Sequence, residues 1–536
     1  AKAELDGREE GLLKIELNDT NRPDLWSTAG LARQLRIYLT RSIPEYTFFS
    51  TPKRALDHGD RVIDVDPALR RIRPFIAGFA VTGKKLSEPE LKDLIQTQEK
   101  LCWNYGRKRQ SIAMGVYRHD KMKYPVHYRA ADPDATEFVP LGMARPLSLR
   151  KILTEHPKGQ DFGWIVEHFP AFPFLTDDRG DALSFPPVIN SASLGAVQVG
   201  DEELFFELTG TDLDSLLIAT SVVACDLADS GFTVLPVKTR YPYETKLGRE
   251  IVSPFYFQES ISLDVSYGSR LLGLPFSPEE AASCVARMGC PTRVEGNSIT
   301  VTVPEYRNDF LHPVDVVEDV MMGKGLDSFE PSQPGDFTVG RVSEIETVAR
   351  QVKNIMVGLG YQEMIFNYLG SGKDFRDRMG TPGSELVHVA NPMSENYEYV
   401  RSSILPALLA SEAVSANAAY PHQIFEVGKI ARLDGGDTSG TVTRDYAAFL
   451  TADRNADFNA VRAHVAVLFY YLSADYTMRE IDDPRFIPGR AAEILAGQRS
   501  IGVIGEIHPQ VLENWGVQMP CAACEVDVST IMELRL

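Results

Sequence analysis

The sequence predicts a multidomain α+β protein, and three observations predict it. At 536 residues the chain is long enough for several hydrophobic cores. A polar joint containing Pro and Gly, EPSQPGD at 330–336, interrupts it. Before that joint, helical periodicity and short β-rich runs both occur, and a further amphipathic helix begins after it, so neither class dominates. A hydrophobic fraction of 44% and a charged fraction of 24% are ordinary for a globular protein. No internal repeat or low-complexity tract stands out.

Taken in order, the chain opens on Ala1 rather than Met, and its first fifteen residues read as the tail of an element, so a missing start is expected. Residues 1–74 are assigned to an N-terminal domain. From 75 to 258, runs such as YPVHYR, LFFELTGT and FTVLPVKTRYP alternate with turns and predict an α+β domain. SPEEAASCVARMG (277–289) predicts a helix with Ser277 as N-cap, Pro278 at its first position, Glu280 closing a capping box and Gly289 as the stop. NSITVTVPEYR then alternates as a strand. Residues 259–332 are therefore assigned to a small helix-plus-strand module. Beyond the joint, SEIETVARQVKNIMVGLG (343–360) predicts an amphipathic helix, with Ser343 and Glu346 spaced as a capping box and Gly360 as terminator. Residues 333–536 form the last domain.

Charge and cysteine content narrow the function. Fifty-five basic against 74 acidic residues give a net charge of −19, which argues against a chain coated uniformly for nucleic acid. A local basic face stays possible, and NYGRKRQ, with Arg107, Lys108 and Arg109, is one; a solvated surface is the plainer reading. Six scattered cysteines suggest a reducing compartment, and a cytoplasmic protein is expected. The one CxxC, Cys521 to Cys524, lacks the second pair a zinc site needs. No run reaches the roughly 18 apolar residues of a membrane helix, and no signal peptide is visible. GSGKD at 370–374 lacks the first glycine of a phosphate loop and has Asp after its Lys. No HExxH, GxSxG or GxGxxG is present.

Two constellations stand out. In VPEYRNDFLHPVDVVEDV (303–320), Asp315, Glu318 and Asp319 share one helical face, and Asp309 enters from the preceding turn. They either complement a helix N-terminus or hold a hard cation such as magnesium. In LSFPPVINS and ELTGTD, two prolines stiffen a chain that offers Asn190, Ser191, Glu207, Thr209 and Thr211 as polar groups. A turn with local side-chain-to-backbone bonds is the plain alternative.

These stretches occur in a telling order. ELNDTNRPDLWSTAGLARQLR (16–36), HPKG (156–159), LSFPPVINS, ELTGTD, the acidic run, NPMSENYEYVRSSILPALL (from 391), IFEVGKI (424–430) and IGVIGEIHPQVL (501–512) together resemble the β subunit of phenylalanyl-tRNA synthetase, in its compact archaeal/eukaryotic form. The resemblance covers nearly the whole chain. It implies an editing domain over 75–258, a magnesium-binding module over 259–332 and an inactive, degenerate class II synthetase core over 333–536. It also implies an ATP-dependent ligase whose aminoacylation site lies on a partner α subunit, in an α2β2 assembly that binds tRNA-Phe. Magnesium would sit on Asp309, Asp315, Glu318 and Asp319. Glu207 would accept the phenol of a misattached tyrosine, while Asn190 and Thr209 would orient the ester or its attacking water. Arg401 and Glu426 resemble an ATP-gripping arginine motif, with Arg490 the sole echo of a second one. The family has further sequence before NRPD, and its longer bacterial form has an anticodon-stem domain that is not expected here. The rival reading is a non-catalytic scaffold and RNA-binding subunit whose editing pocket has decayed.

Overall fold

The computed structural model describes residues 3–9, 12–336 and 338–535. The expectation about sequence missing before Ala1 lies outside the described residues. The chain divides into two compact units, 1–332 and 333–536, which meet inside EPSQPGD.

The first unit is built on a ten-stranded mixed sheet. Next to one edge of that sheet lies Leu204–Gly210, every residue of which is buried. It pairs antiparallel with Phe75–Thr82 on one side and Ile112–Arg118 on the other. Both faces of this strand are covered, so its hydrophobic run does not alternate with solvent-facing polar residues. Phe206 stacks on Phe79 with ring centroids 4.9 Å apart. The helix Leu213–Asp229 packs against the sheet and starts at Asp212, which accepts from the Ser215 amide.

The boundary expected at residue 74 is not where the packing changes. Val62–Val65 lies inside the large sheet, parallel to both Val126–Ala131 and Thr233–Thr245. The helix Thr28–Thr40 is also tied in: Arg33 meets Asp226 at 3.1 Å and Asp229 at 2.8 Å, and Ser27 donates to Asp226. A parallel strand needs a partner far along the chain, and no local pattern announces that partner.

The small module has three strands, Ile261–Asp264, Thr292–Glu295 and Ser298–Val301, with helices Val265–Leu272, Pro278–Arg287 and Pro313–Lys324. The box at Ser277 forms in full: Ser277 Oγ accepts from the Glu280 amide and Glu280 accepts from the Ser277 amide. Val285, Ile299, Val301 and Val316 make a wholly buried core between its helices and strands.

The second unit is a seven-stranded sheet, antiparallel except where Gln362–Glu363 runs parallel to His422–Leu433. In Thr441–Ala452, Ala447 and Phe449 face the helices Glu344–Gly358 and Phe458–Leu472, while Ala448 and Leu450 face Leu405–Val414 and Pro509–Trp515. Only half of the box at Ser343 forms: its hydroxyl accepts from the Glu346 amide, but the Glu346 side chain pairs with Arg350. Cys521 and Cys524 project into opposite cores, which rules out one metal between them. Among the described residues no helix is long and apolar enough to cross a membrane.

Candidate functional site

Glu207 stands in the middle of the fully buried strand Leu204–Gly210. Its cross-strand neighbours on both sides are glycines, Gly78 and Gly115. Isolated glycines inside strands mark a close approach, and here they leave room for a carboxylate above the sheet. A Cβ on Gly115 would overlap the Tyr117 hydroxyl and come 2.6 Å from Glu207 Oε1.

The Tyr117 hydroxyl lies 2.8 Å from Glu207 Oε1 and 2.7 Å from Ser184 Oγ. A phenol has one proton. The carboxylate, acceptor only when ionised, takes it, so Ser184 must donate to the phenol oxygen. Glu207 Oε2 is buried and has no hydrogen-bond partner among the described residues. Burial pushes the Glu207 pKa up to about 7, against the pull of Tyr117 and of Arg73. A carboxyl with that pKa exchanges a proton readily near neutral pH.

A cavity of about 180 Å³ reaches this carboxyl. Its lining includes Ser184, Pro186, Pro187 and Asn190 as well as Glu207. The structure thus brings two of the expected editing residues, Glu207 and Asn190, to one cavity, with Asn190 Nδ2 donating to the Val116 carbonyl at 3.4 Å. Thr209 is not among the lining residues. It is fully buried, its hydroxyl accepts from Arg73 Nε at 2.9 Å, and its carbonyl accepts from Arg73 Nη2 at 2.6 Å. Both its hydroxyl and its carbonyl are thus engaged by Arg73. Arg73 in turn donates to the carbonyls of Arg109 and Gln110.

Those carbonyls end an unusual turn. Arg107, Lys108 and Arg109 have φ of 48°, 54° and 68°, three consecutive left-handed residues without a glycine. Each such residue costs roughly 1–2 kcal/mol, and strain of this kind gathers at functional sites. Arg109 uses the turn to donate to the carbonyls of Pro187 and Val188, at 3.2 and 3.0 Å, on the rim of the cavity.

The acidic cluster is arranged differently from a four-carboxylate cage. Arg307, only 1% exposed, lies among the acids. It donates Nε to Asp309 at 3.0 Å and Nη1 to Asp319 at 2.6 Å, with second bonds to both. Arg22 of the NRPD stretch lies 3.9 Å behind Asp309 and is forked onto Asp24. Burial opposes ionisation of Asp309, but Arg307 and Arg22 outweigh it and hold its pKa below the ordinary value. Asp315 accepts from the amides of Leu311 and His312 at the start of the helix. Among the described residues no three His, Cys, Asp or Glu converge as a metal set. The chain by itself therefore does not fit a magnesium ion on these four residues: a guanidinium meets two of them, and a helix N-terminus a third.

In the second unit Arg401 is buried and bonded to both oxygens of Glu426 at 2.8 Å, with Nε on the Lys429 carbonyl. Its guanidinium is fully engaged and also lies over Tyr368. Arg490 pairs with Glu506.

Sequence reasoning missed Tyr117, Ser184, Gly115, Arg73 and Arg307. Only the glycines left a local signal, as single breaks in the runs FIAGFAVT and IAMGVYR.

Comparison with known proteins follows the same division. Residues 261–326 match the family described as the tRNA synthetase B5 domain, and residues 332–528 match the phenylalanyl tRNA synthetase beta chain CLM domain. The chain is 46% identical over 521 residues to the phenylalanine–tRNA ligase beta subunit of Borrelia hermsii, covering 97% of this chain and 92% of that protein. It is 47% identical over 524 residues to the subunit of Treponema pallidum, covering 97% and 87%. A crystal structure of an N-terminal fragment of the phenylalanyl-tRNA synthetase beta subunit from Pyrococcus horikoshii superposes with a TM-score of 0.56 at 31% identity, over 60% of this chain and 91% of that one. The curated relatives are bacterial, so they do not support the archaeal/eukaryotic label of the resemblance.

Proposed function

The chain belongs to the family of phenylalanine–tRNA ligase beta subunits, and from that premise we propose that it contributes hydrolytic proofreading, in the Glu207 cavity, to a ligase that joins phenylalanine to tRNA-Phe at the expense of ATP. The observation that carries the reading is the unused Oε2 of a buried carboxyl beside a small cavity. A synthetic site shaped for phenylalanine rejects tyrosine by only about 10²-fold, because an added hydroxyl is hard to exclude from an apolar pocket. A second site that hydrogen-bonds the phenol sorts in the opposite sense. Here Tyr117, itself held by Ser184, fixes Glu207 Oε1 and leaves Oε2 for the phenol. Pro186, Pro187 and Asn190 wall the space for the ester end. None of the lining residues is histidine or cysteine, so the ester is hydrolysed by a positioned water rather than through a covalent intermediate.

The test is deacylation of preformed Tyr-tRNA-Phe by the assembled ligase. Hydrolysis well above the spontaneous rate, with Phe-tRNA-Phe spared, is expected. No acceleration would leave the scaffold reading, a subunit that binds partner and RNA with a decayed pocket.

The aminoacylation site belongs, in this reading, to a catalytic α subunit in a cytoplasmic α2β2 ligase, because Arg401 is spent on Glu426. Magnesium enters only through that assembly. A docked subunit can supply ligands that the chain lacks, next to the half-buried Asp315 and Glu318 on one helical face. Asp315→Asn combined with Glu318→Gln is then expected to weaken magnesium-dependent association of α with β, read by sedimentation with and without the ion at fixed ionic strength. Identical association of variant and wild type would remove the cation from these residues.

A further inference from the structure

Two large indoles stand half in water beside the Glu207 cavity. Trp103 is 53% exposed and Trp164 45%. They come from separate segments, the helical turn Leu101–Tyr105 and the short turn Gly163–Ile165, yet both line one groove of about 670 Å³. Exposed tryptophans sharing a groove are uncommon on a surface that nothing covers.

The groove is also locally basic on a chain of net charge −19. Lys100, Lys108, Arg109 and Lys158 line it, against Glu99 and Asp161. The Lys108 ammonium sits 5.2 Å from the Trp103 ring, and the Arg109 guanidinium 4.1 Å from the Phe162 ring. Aromatic faces interleaved with cations are the chemistry that holds single-stranded nucleic acid: bases stack and phosphates meet the ammonium groups. The groove and the Glu207 cavity share Arg109 and Lys158 in their linings. The left-handed turn at 107–109, braced by Arg73, is what puts Lys108 over the indole and Arg109 at the junction.

We propose that the groove between Trp103 and Trp164 binds the unpaired 3′-terminal nucleotides of an aminoacylated tRNA and leads the ester past Arg109 into the Glu207 cavity. The inference rests on the proofreading reading for what the cavity does, but not for what the groove binds.

The test uses the α–β ligase and a fluorescein-labelled tetraribonucleotide ending in CCA, with affinity read by anisotropy. Trp103→Ala and Trp164→Ala are each expected to weaken binding roughly ten-fold, in the range of one base stacked on one aromatic ring. Lys108→Ala with Lys158→Ala is expected to flatten the salt dependence by about 0.7 per lost phosphate contact. In deacylation of Tyr-tRNA-Phe the tryptophan variants should raise KM and leave kcat near wild type, while aminoacylation with phenylalanine stays unchanged, which reports an intact fold. Equal affinity of the double tryptophan variant and wild type overturns the inference. So does equal competition by a blunt-ended RNA duplex, or a bound α subunit that itself buries the two indoles. Indole-dependent binding in a ligase that does not deacylate Tyr-tRNA-Phe would sink the proofreading reading and leave the groove assignment standing.

Discussion

Arg307→Met is expected to destabilise the first unit by about 3–5 kcal/mol, the usual cost of removing one partner from a buried ion pair. The reason is what it leaves behind. Asp309 and Asp319 have side chains only 7% and 4% exposed, and Arg307 bonds to both. Methionine fills much of the volume but gives neither carboxylate a donor. Arg22 is 3.9 Å from Asp309 and already forked onto Asp24, so it cannot replace the lost bonds. The effect has a definite pH dependence. In the wild type Asp309 titrates below its ordinary range, so its contribution is present above the unfolded pKa and is lost only in acid. In the variant, burial without a partner raises the Asp309 pKa and pushes that of Asp319, which burial already holds above its ordinary value, further up, and protonation relieves the penalty as the pH falls. The deficit should therefore be largest near pH 8 and shrink toward pH 5, measured by denaturant unfolding of the whole chain. A loss below about 1 kcal/mol at pH 8 would show that the network is dispensable, as exposed ion pairs are.

How much of this was legible follows from the range of each interaction. The Ser277–Glu280 box needs only residues three apart, and the sequence pattern names both partners. At Ser343 the same pattern supplies half a box, because Arg350 offers Glu346 a helical i,i+4 partner that competes with the backbone. Glu207 and Asn190 share a cavity, and the two motifs that carry them stand out in the sequence as polar stretches. The resemblance offers Thr209 to the ester, and no local pattern announces Arg73, which arrives from 136 residues away and takes its hydroxyl. The acidic run raised the right question, since so many carboxylates do require a cation. Arg307 lies inside the quoted run, two residues from Asp309 and twelve from Asp319. Spacing alone shows no reason for an arginine to turn inward onto both. Arg22 completes the group from the NRPD stretch, a connection that exists only after folding.

Glu207→Gln should act in opposite directions on stability and on proofreading. Its pKa of about 7 in the folded chain lies well above the ordinary carboxyl value of 4.5 because burial disfavours the charge. The folded state therefore binds a proton that the unfolded state releases between those two values. Stability falls as pH rises through this window, by roughly 3 kcal/mol once Glu207 is fully ionised, at about 1.4 kcal/mol per pKa unit. Glutamine removes that cost. It should raise stability over wild type at pH 8, by up to that amount, and make little difference near pH 4.5. For proofreading the sign reverses. A hydrogen bond from a phenol to a carboxylate contributes about 1.5–3 kcal/mol, and its loss corresponds to roughly 10- to 150-fold slower deacylation of Tyr-tRNA-Phe. Gly115→Ala approaches the same site by steric means, since its methyl displaces the Tyr117 hydroxyl from Glu207 Oε1. It should slow deacylation without the gain in stability at pH 8, because the carboxyl stays buried. The measurements are unfolding free energies at the two pH values and single-turnover deacylation by the assembled ligase. A stability difference between Glu207→Gln and wild type that does not vary with pH would mean that the carboxyl ionises normally. Deacylation by Glu207→Gln at the wild-type rate would take Glu207 out of the site that reads the phenol.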